Sequence, residues 1–126
     1  MNRILSWDAT VGEIEVEPGV SIQDIWQHTL KDGFWPHVVP GTMHPTVGGC
    51  VAMNVHGKNH FRQGTFGDHV LELDLLTPEG DVVTCSRDKH PDIFRAVIGS
   101  MGVLGVTTRI RLALKRVHSG LSLIHI

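Results

Sequence analysis

Residues 106–117 read V-T-T-R-I-R-L-A-L-K-R-V, and no other stretch narrows the choice of fold so far. Thr108, Ile110, Leu112 and Leu114 fall on one side of an extended chain, with Arg109, Arg111 and Lys115 on the other. Successive side chains of a strand point to opposite faces, so this alternation predicts a long strand with one face on a core. Gly102 and Gly105 stand just ahead of it.

The rest of the chain supplies partners for that strand. Residues 12–20 read G-E-I-E-V-E-P-G-V, with Ile14 and Val16 on one face, the period of a half-buried strand that ends at Pro18 and Gly19. Ser21 then offers a capping oxygen, Asp24 sits at the third position after it, and Ile22, Ile25, Trp26 and Leu30 recur at helical spacing until Gly33. Residues 34–39 are apolar and bracketed by Pro36 and Pro40, which predicts extended chain leading into a Pro40-Gly41-Thr42 turn. Thr46 is placed to cap a short helix over 47–54 with Gly48 and Gly49 in its first turn. Residues 70–77 and 81–86 flank Pro78-Glu79-Gly80 and predict a hairpin, since proline fixes φ and glycine frees it. Pro91 starts a helix through Ile93, Phe94, Val97 and Ile98 that stops at Gly99. The sum is an α+β fold with a largely antiparallel sheet flanked by helices.

With 126 residues the chain is about one domain. Its 11 Lys and Arg against 13 Asp and Glu give a net charge of -2, which leaves no basic face for nucleic acid and no polybasic membrane patch. No apolar run approaches the roughly 20 residues of a membrane span, and Met1-Asn2-Arg3 leads into a polar segment, not a signal-peptide core. The two cysteines, Cys50 and Cys85, sit in unlike contexts and do not suggest a disulfide framework, which fits a reducing cytoplasm. Val51, Ala52 and Met53 surround Cys50 with apolar groups that raise a thiol pKa, so it reads as a packing residue and not a nucleophile.

Chemistry concentrates in residues 40–67, which hold six glycines, His56 and Lys58 around one short apolar run. Repeated glycines beside small apolar residues let backbone approach another element or a flat ligand. A first turn containing Gly48 and Gly49 is expected to present open N–H groups to carbonyl or pyrophosphate oxygens. For the bare pair, close packing of helix on sheet is the stronger reading, and only the longer context favours a bound cofactor. Gly57 allows a turn that directs His56 and Lys58 into one pocket, where a cation or donor stabilises a ring gaining negative charge. His56 and His60 have the spacing of a helical zinc pair, but the residues between them supply no general-base glutamate. No metal site is therefore assigned. A metal-dependent hydrolase using His56, His60 and His69 stays as an alternative, as does a non-enzymatic binding module.

The motifs P-G-T-x-x-x-T-V-G-G-x-x-A-x-x-x-H-G-K-N-H, then G-T-F-G-D-H-V, then L-D-L-L-T-P-E-G, then F-R-A-V-I-G-S-M-G-V-L-G-V occur in that order. Together they resemble the FAD-linked oxidases of the vanillyl-alcohol-oxidase type, with their PCMH-type FAD-binding domain. Within that superfamily the chain is most similar to the flavoprotein-subunit family of decaprenylphosphoryl-ribose 2′-epimerase. The similarity covers about residues 7–117, with a small slip at 87–90.

The resemblance implies an FAD held between two α+β subdomains, of which this chain matches the second. It implies that residues 1–117 are part of that domain; residues 118–126, ending L-S-L-I-H-I, follow a natural stop near Val117 without continuing its alternation and are expected to be a non-native or unstructured tail. Met1 then stands just ahead of a mid-domain strand, with the pyrophosphate loop expected before it and a substrate cap after residue 117. The chain alone is expected to bind FAD weakly and not to be a competent oxidase. By the resemblance, Gly41, Thr46, Val47, Gly48, Gly49, Met53, Asn54, Val55, His56 and Thr107 are cofactor-binding, and His56 and Lys58 are catalytic. Thr107 replaces an aliphatic residue of the family, a change that a backbone contact survives.

The implied reaction is oxidation of a secondary alcohol, with hydride passing to flavin N5 and the hydroxyl losing its proton. A polyprenyl-phosphoryl sugar becomes a 2-keto sugar, which a nicotinamide-dependent reductase partner completes, and a quinone or oxygen reoxidises the flavin. A small sugar alcohol or aldonolactone is the alternative substrate within the superfamily. The implied place is the cytoplasm or the membrane periphery.

Overall fold

A computed structural model describes residues 2–38, 44–54, 64–100 and 104–117. In it six strands form one sheet of order β1-β2-β6-β4-β5, with β3 paired separately to β6. The strands are β1 (Ile4–Asp8), β2 (Glu13–Val16), β3 (Phe34–Pro36), β4 (Val70–Leu76), β5 (Val82–Ser86) and β6 (Val106–Arg116). The helices are α1 (Ile22–Thr29), α2 (Val47–Met53) and α3 (Pro91–Val97). Every pairing is antiparallel, as expected for the α+β class.

The long alternating strand is the spine of the sheet. Glu13 to Val16 pair with Ala113 to Ile110 on β6, β4 pairs from Val70 to Leu112 through Leu76 to Val106, and β3 takes the C-terminal end from Leu114 to Arg116. Ile110, Leu112 and Leu114 are buried, as their alternation requires. They meet Ile14 and Val16 of β2, Leu73 and Leu75 of β4, and Ile22, Ile25, Val47, Val51, Phe66 and Phe94 in one continuous core. Phe66 and Phe94 are among the largest fully buried side chains, each stabilising the fold by roughly 2–3 kcal/mol through apolar area removed from water.

Two bulges correct the simple alternation. Between Asp74 and Leu75 the register slips from Arg109 to Thr107, so one residue of β6 is left over at Thr108. The side-chain phase reverses there: Thr107 pairs with buried Leu75, while Val106 pairs with exposed Leu76. A second slip between Val70 and Glu72 brings Val70 to the core opposite Leu112 and leaves Glu72 opposite Arg111. An extra residue in one strand shifts which face every later side chain occupies.

The sheet face away from the core is a charge lattice. Arg109 donates to Glu15 at 2.7 Å on β2 and to Asp74 at 2.9 and 3.1 Å on β4, and it also contacts Glu72. Arg111 pairs with Glu13 at 2.7 Å. Beyond this lattice Val82, Leu76 and Val106 lie in register and exposed at the sheet's end.

Local signals hold closely. Ser21 accepts from the Asp24 N–H at 3.0 Å while the Asp24 carboxylate accepts from the Ser21 N–H at 3.1 Å, a reciprocal cap on α1. The α-helix ends at Thr29, a 3-10 turn Leu30–Asp32 continues it, and Gly33 closes it at φ 84°. Pro91 opens α3, which ends at Val97, with Ile98 already extended. The polar segment after Met1-Asn2-Arg3 is in fact β1, an edge strand pairing Ile4 with Val16 and Trp7 with Ile14. Among the described residues no helix is long and apolar enough to cross a membrane. Residues 118–126 lie outside the described residues.

Candidate functional site

Helix α2 is seated by the chain that precedes α1. Thr46, in extended backbone at φ -82°, ψ 157°, caps it, its side chain accepting from the Gly49 N–H at 3.2 Å. The Val47 N–H donates to the Val20 carbonyl at 2.8 Å, the Gly48 N–H to the Pro18 carbonyl at 2.9 Å, and the Cys50 N–H to the Thr46 carbonyl at 2.9 Å. All four N–H groups from Val47 to Cys50 therefore have acceptors within the protein.

This corrects the expectation that the first turn presents open donors to a ligand. A helix start carries unsatisfied N–H groups only until something accepts from them, and here a β2-to-α1 turn does so. Gly48 is glycine for the same reason: a Cβ there would stand 2.7 Å from Pro18 Cβ and 3.2 Å from the Pro18 carbonyl oxygen. Close packing, the plainer reading of the pair, explains Gly48. Gly49 differs, because among the described residues its added Cβ would meet only the Thr46 hydroxyl, at 3.3 Å.

The two faces of α2 are distinct. Val47, Cys50 and Val51 are buried. Thr46, Gly49 and Met53, spaced i, i+3 and i+7, are exposed on the opposite side, Met53 at 58%. A small-residue ledge ending in an exposed methionine is an apolar surface open to a flat partner. Burial pushes the Cys50 thiol up to about 11, in line with its reading as a packing residue. Cys50 and Cys85 are both free and buried.

At its C-terminal end α2 closes on Asn54 in the left-handed region, φ 46° and ψ 57°. Asn54 Oδ1 accepts from the Gly67 N–H at 2.8 Å, and Gly67 is packed so that a Cβ would lie 2.5 Å from Ile98 Cγ2. The Gly99 N–H donates to the Val51 carbonyl at 2.9 Å, tying the end of α3 to the same place. Arg87 donates to the carbonyls of Gly67 at 3.0 Å and Asp68 at 3.1 Å, and stacks its guanidinium over Phe94 at 5.3 Å. Sequence reasoning missed Arg87, whose partners are backbone atoms with no side-chain signature.

Of the residues expected at a cofactor, Thr46, Val47, Gly48, Gly49, Met53 and Asn54 are brought together by α2, with Val47 fully buried and Gly48 turned to Pro18. Thr107 sits on β6, half-buried and opposite Leu75, on the core side by virtue of the bulge. Gly41, Val55, His56, Lys58 and His60 lie outside the described residues. His69 is described, and its ring stacks on His37 with centroids 3.9 Å apart.

A family profile described as the FAD binding domain matches residues 1–86. The chain belongs to the FAD-binding domain family. FAD is the cofactor of that family. The chain is 38% identical over 110 residues to decaprenylphosphoryl-beta-D-ribose oxidase of Mycolicibacterium smegmatis, covering 86% of this chain and 24% of that protein. It is also similar to cytokinin dehydrogenase 6 of Oryza sativa subsp. japonica, 44% identical over 92 residues, covering 73% of this chain and 18% of that one. Cytokinin dehydrogenase 2 of Arabidopsis thaliana is 36% identical over 100 residues, 79% of this chain and 20% of its own. This FAD-binding chain thus spans a quarter or less of the length of these relatives.

The hydrolase alternative built on His56, His60 and His69 gains no support from these matches. Among the described residues no group of three or more His, Cys, Asp or Glu could hold a metal ion.

Proposed function

We propose that this FAD-binding chain serves an oxidoreductase that acts on CH–OH groups, with the 2′-hydroxyl of a polyprenyl-phosphoryl sugar as substrate. The observation that carries the reading is the exposed Thr46, Gly49 and Met53 face of α2, which leads directly in sequence to His56 and Lys58. The choice of substrate rests on the similarity to the mycobacterial oxidase.

The α2 ledge fits an isoalloxazine by apolar contact. Thr46, Gly49 and Met53 would lie against it, while Val47 and Gly48 hold the ledge from behind through the Val20 and Pro18 carbonyls. Gly41, Asn54, Val55, His56 and the backbone of Thr107 complete the proposed lining. When bound, FAD supplies the hydride acceptor at N5. His56 takes the hydroxyl proton, since an imidazole titrates near neutral pH, and Lys58 holds developing negative charge or an anionic substrate group. A lipid-linked substrate places the enzyme at the membrane periphery, and its keto product requires a nicotinamide-dependent reductase to become the epimer.

The cytokinin dehydrogenases, one of them 44% identical, favour a second reading in which the substrate is a cytokinin. One experiment separates them. In the complete enzyme carrying this chain, reduction of the flavin absorbance is followed under anaerobic conditions with a polyprenyl-phosphoryl ribose, a free sugar alcohol and a cytokinin. Bleaching by the lipid-linked sugar alone supports the first reading, and bleaching by the cytokinin replaces it. His56→Ala should keep the flavin and lose turnover; unchanged turnover would remove His56 from the mechanism.

A further inference from the structure

Arg87 stands in the connection from β5 to α3, and its guanidinium gathers carbonyl groups from one short stretch of chain. It donates to Gly67 at 3.0 Å and Asp68 at 3.1 Å, both in the 3-10 turn Phe66–His69, and to Val70 at the start of β4. It also lies over the Phe94 ring of α3, at 5.3 Å. Carbonyl dipoles that converge repel one another unless a cation with several donors sits among them, and the planar, five-donor guanidinium is the side chain suited to that task. Arg87 as a whole is exposed. Water can therefore replace its hydrogen bonds one by one, but cannot hold the oxygens of Gly67, Asp68 and Val70 together.

The 3-10 turn and α3, which Arg87 joins, both hold the C-terminal end of α2. From the turn, the Gly67 N–H donates to Asn54 Oδ1 at 2.8 Å. From just past α3, the Gly99 N–H donates to the Val51 carbonyl at 2.9 Å, and Ile98 Cγ2 presses on buried Gly67, 2.5 Å from where a Cβ would be. Met53, the exposed end of the α2 ledge, lies between Val51 and Asn54 in the chain. A shift of the turn or of α3 thus reaches Met53 through short bonds, whereas the N-terminal end of α2 is seated separately on the Pro18 and Val20 carbonyls.

We infer that Arg87 is a positioning residue for the flavin seat: by locking the 3-10 turn to α3 it fixes where the C-terminal end of α2 presents Met53 relative to Thr46 and Gly49, without itself touching the ring. The inference rests on the flavin seat proposed above. Because water can take over the hydrogen bonds of an exposed arginine, its loss should move the ledge more than it unfolds the chain.

The test uses the full chain and three variants. Arg87→Met keeps an apolar stem over Phe94 and removes the donors, Arg87→Lys keeps a charge that, as a single point, cannot span the carbonyls, and Arg109→Ala lowers stability from the opposite face of the sheet. Amide exchange of Gly67 and Gly99 is read by NMR, folding by far-UV circular dichroism, and flavin binding by FAD fluorescence titration into the millimolar range and by induced visible dichroism at saturation. Arg87→Met should speed exchange at both amides and weaken FAD by roughly three- to tenfold, the scale of about one net hydrogen bond. The saturated dichroism should lose intensity as well, with Arg87→Lys falling between. Arg109→Ala should keep wild-type FAD affinity and dichroism, which separates position from stability. Wild-type affinity and dichroism in a folded Arg87→Met would overturn the inference while leaving the flavin seat intact, and so would an equal loss in Arg109→Ala. If Arg87→Met does not fold, the dichroism of Arg87→Lys decides: wild-type intensity overturns the inference and reduced intensity supports it. A wild-type chain that binds no FAD at millimolar concentration would remove the seat itself, and the positioning role with it.

Discussion

Replacing Gly48 by alanine distinguishes a packing glycine from a ligand-seat glycine. The new Cβ would stand 2.7 Å from Pro18 Cβ, 3.2 Å from the Pro18 carbonyl oxygen and 3.4 Å from Pro18 Cα, and two of these atoms are backbone. Pro18 cannot swing away, because its carbonyl accepts from Gly48 itself and the next turn is held by the Val47 to Val20 bond at 2.8 Å. Overpacking of this kind costs about 1–3 kcal/mol. Alanine returns up to about 1 kcal/mol through helix propensity, less in a first turn. The net loss is therefore about 1–2 kcal/mol, a fall in Tm of roughly 4–16 °C for a domain near 100 residues. Gly49→Ala is the internal control: among the described residues its Cβ meets only the Thr46 hydroxyl at 3.3 Å, and Gly49 lies on the exposed side, so stability should hold or rise by up to about 1 kcal/mol. Urea denaturation followed by circular dichroism measures both. A Gly48→Ala protein as stable as wild type would show that the α2 seat yields, and with it the argument that Pro18 and Val20 occupy the first-turn donors.

The Arg109 lattice gives a second prediction: Arg109→Ala leaves Glu15, Glu72 and Asp74 facing one another and should destabilise by about 2–3 kcal/mol, below the full loss for a buried pair because these groups are 20–29% exposed; a change under about 0.5 kcal/mol in the urea midpoint analysis would contradict it. Asp74 is held below its usual 3.8 chiefly by the Arg109 hydrogen bond, with Thr84 adding to it. A depressed carboxylate stabilises fully above its unfolded value and loses that contribution as pH falls through the folded one, so the urea midpoint should be level from neutral pH to about 5 and decline below about 4, and Asp74→Asn should flatten the decline. Burial pushes the Cys50 and Cys85 thiols up to about 11. At pH 8 neither should react with a disulfide reagent in the time that both react in urea, and a fast thiol in the native protein would show one of them to be accessible.

What the sequence disclosed is what depends on near neighbours. The Ser21 and Asp24 cap, the Pro91 helix start, the Pro78-Glu79-Gly80 hairpin and the alternation of β2 are each complete within a few residues, so composition and spacing sufficed. The long run at 106–117 was legible as a strand but not in phase, because the bulge opposite Asp74 and Leu75 is a property of two strands together. β1 was hidden for a related reason: only Ile4 and Trp7 of its residues pack against the core, too few to mark a period beside a register shift. The donors of α2 show the limit most clearly. Gly48 and Gly49 look alike in the chain, and a helix start with two glycines looks open to a ligand. What decides between them is Pro18, some thirty positions earlier, whose carbonyl and ring close one glycine, while the other lies on the exposed face. A glycine pair at a helix start therefore carries two separate constraints here. One is set by the protein's own packing, and the other belongs to Gly49, where an added Cβ would meet among the described residues the Thr46 hydroxyl at 3.3 Å, on the exposed face that the proposed flavin seat uses.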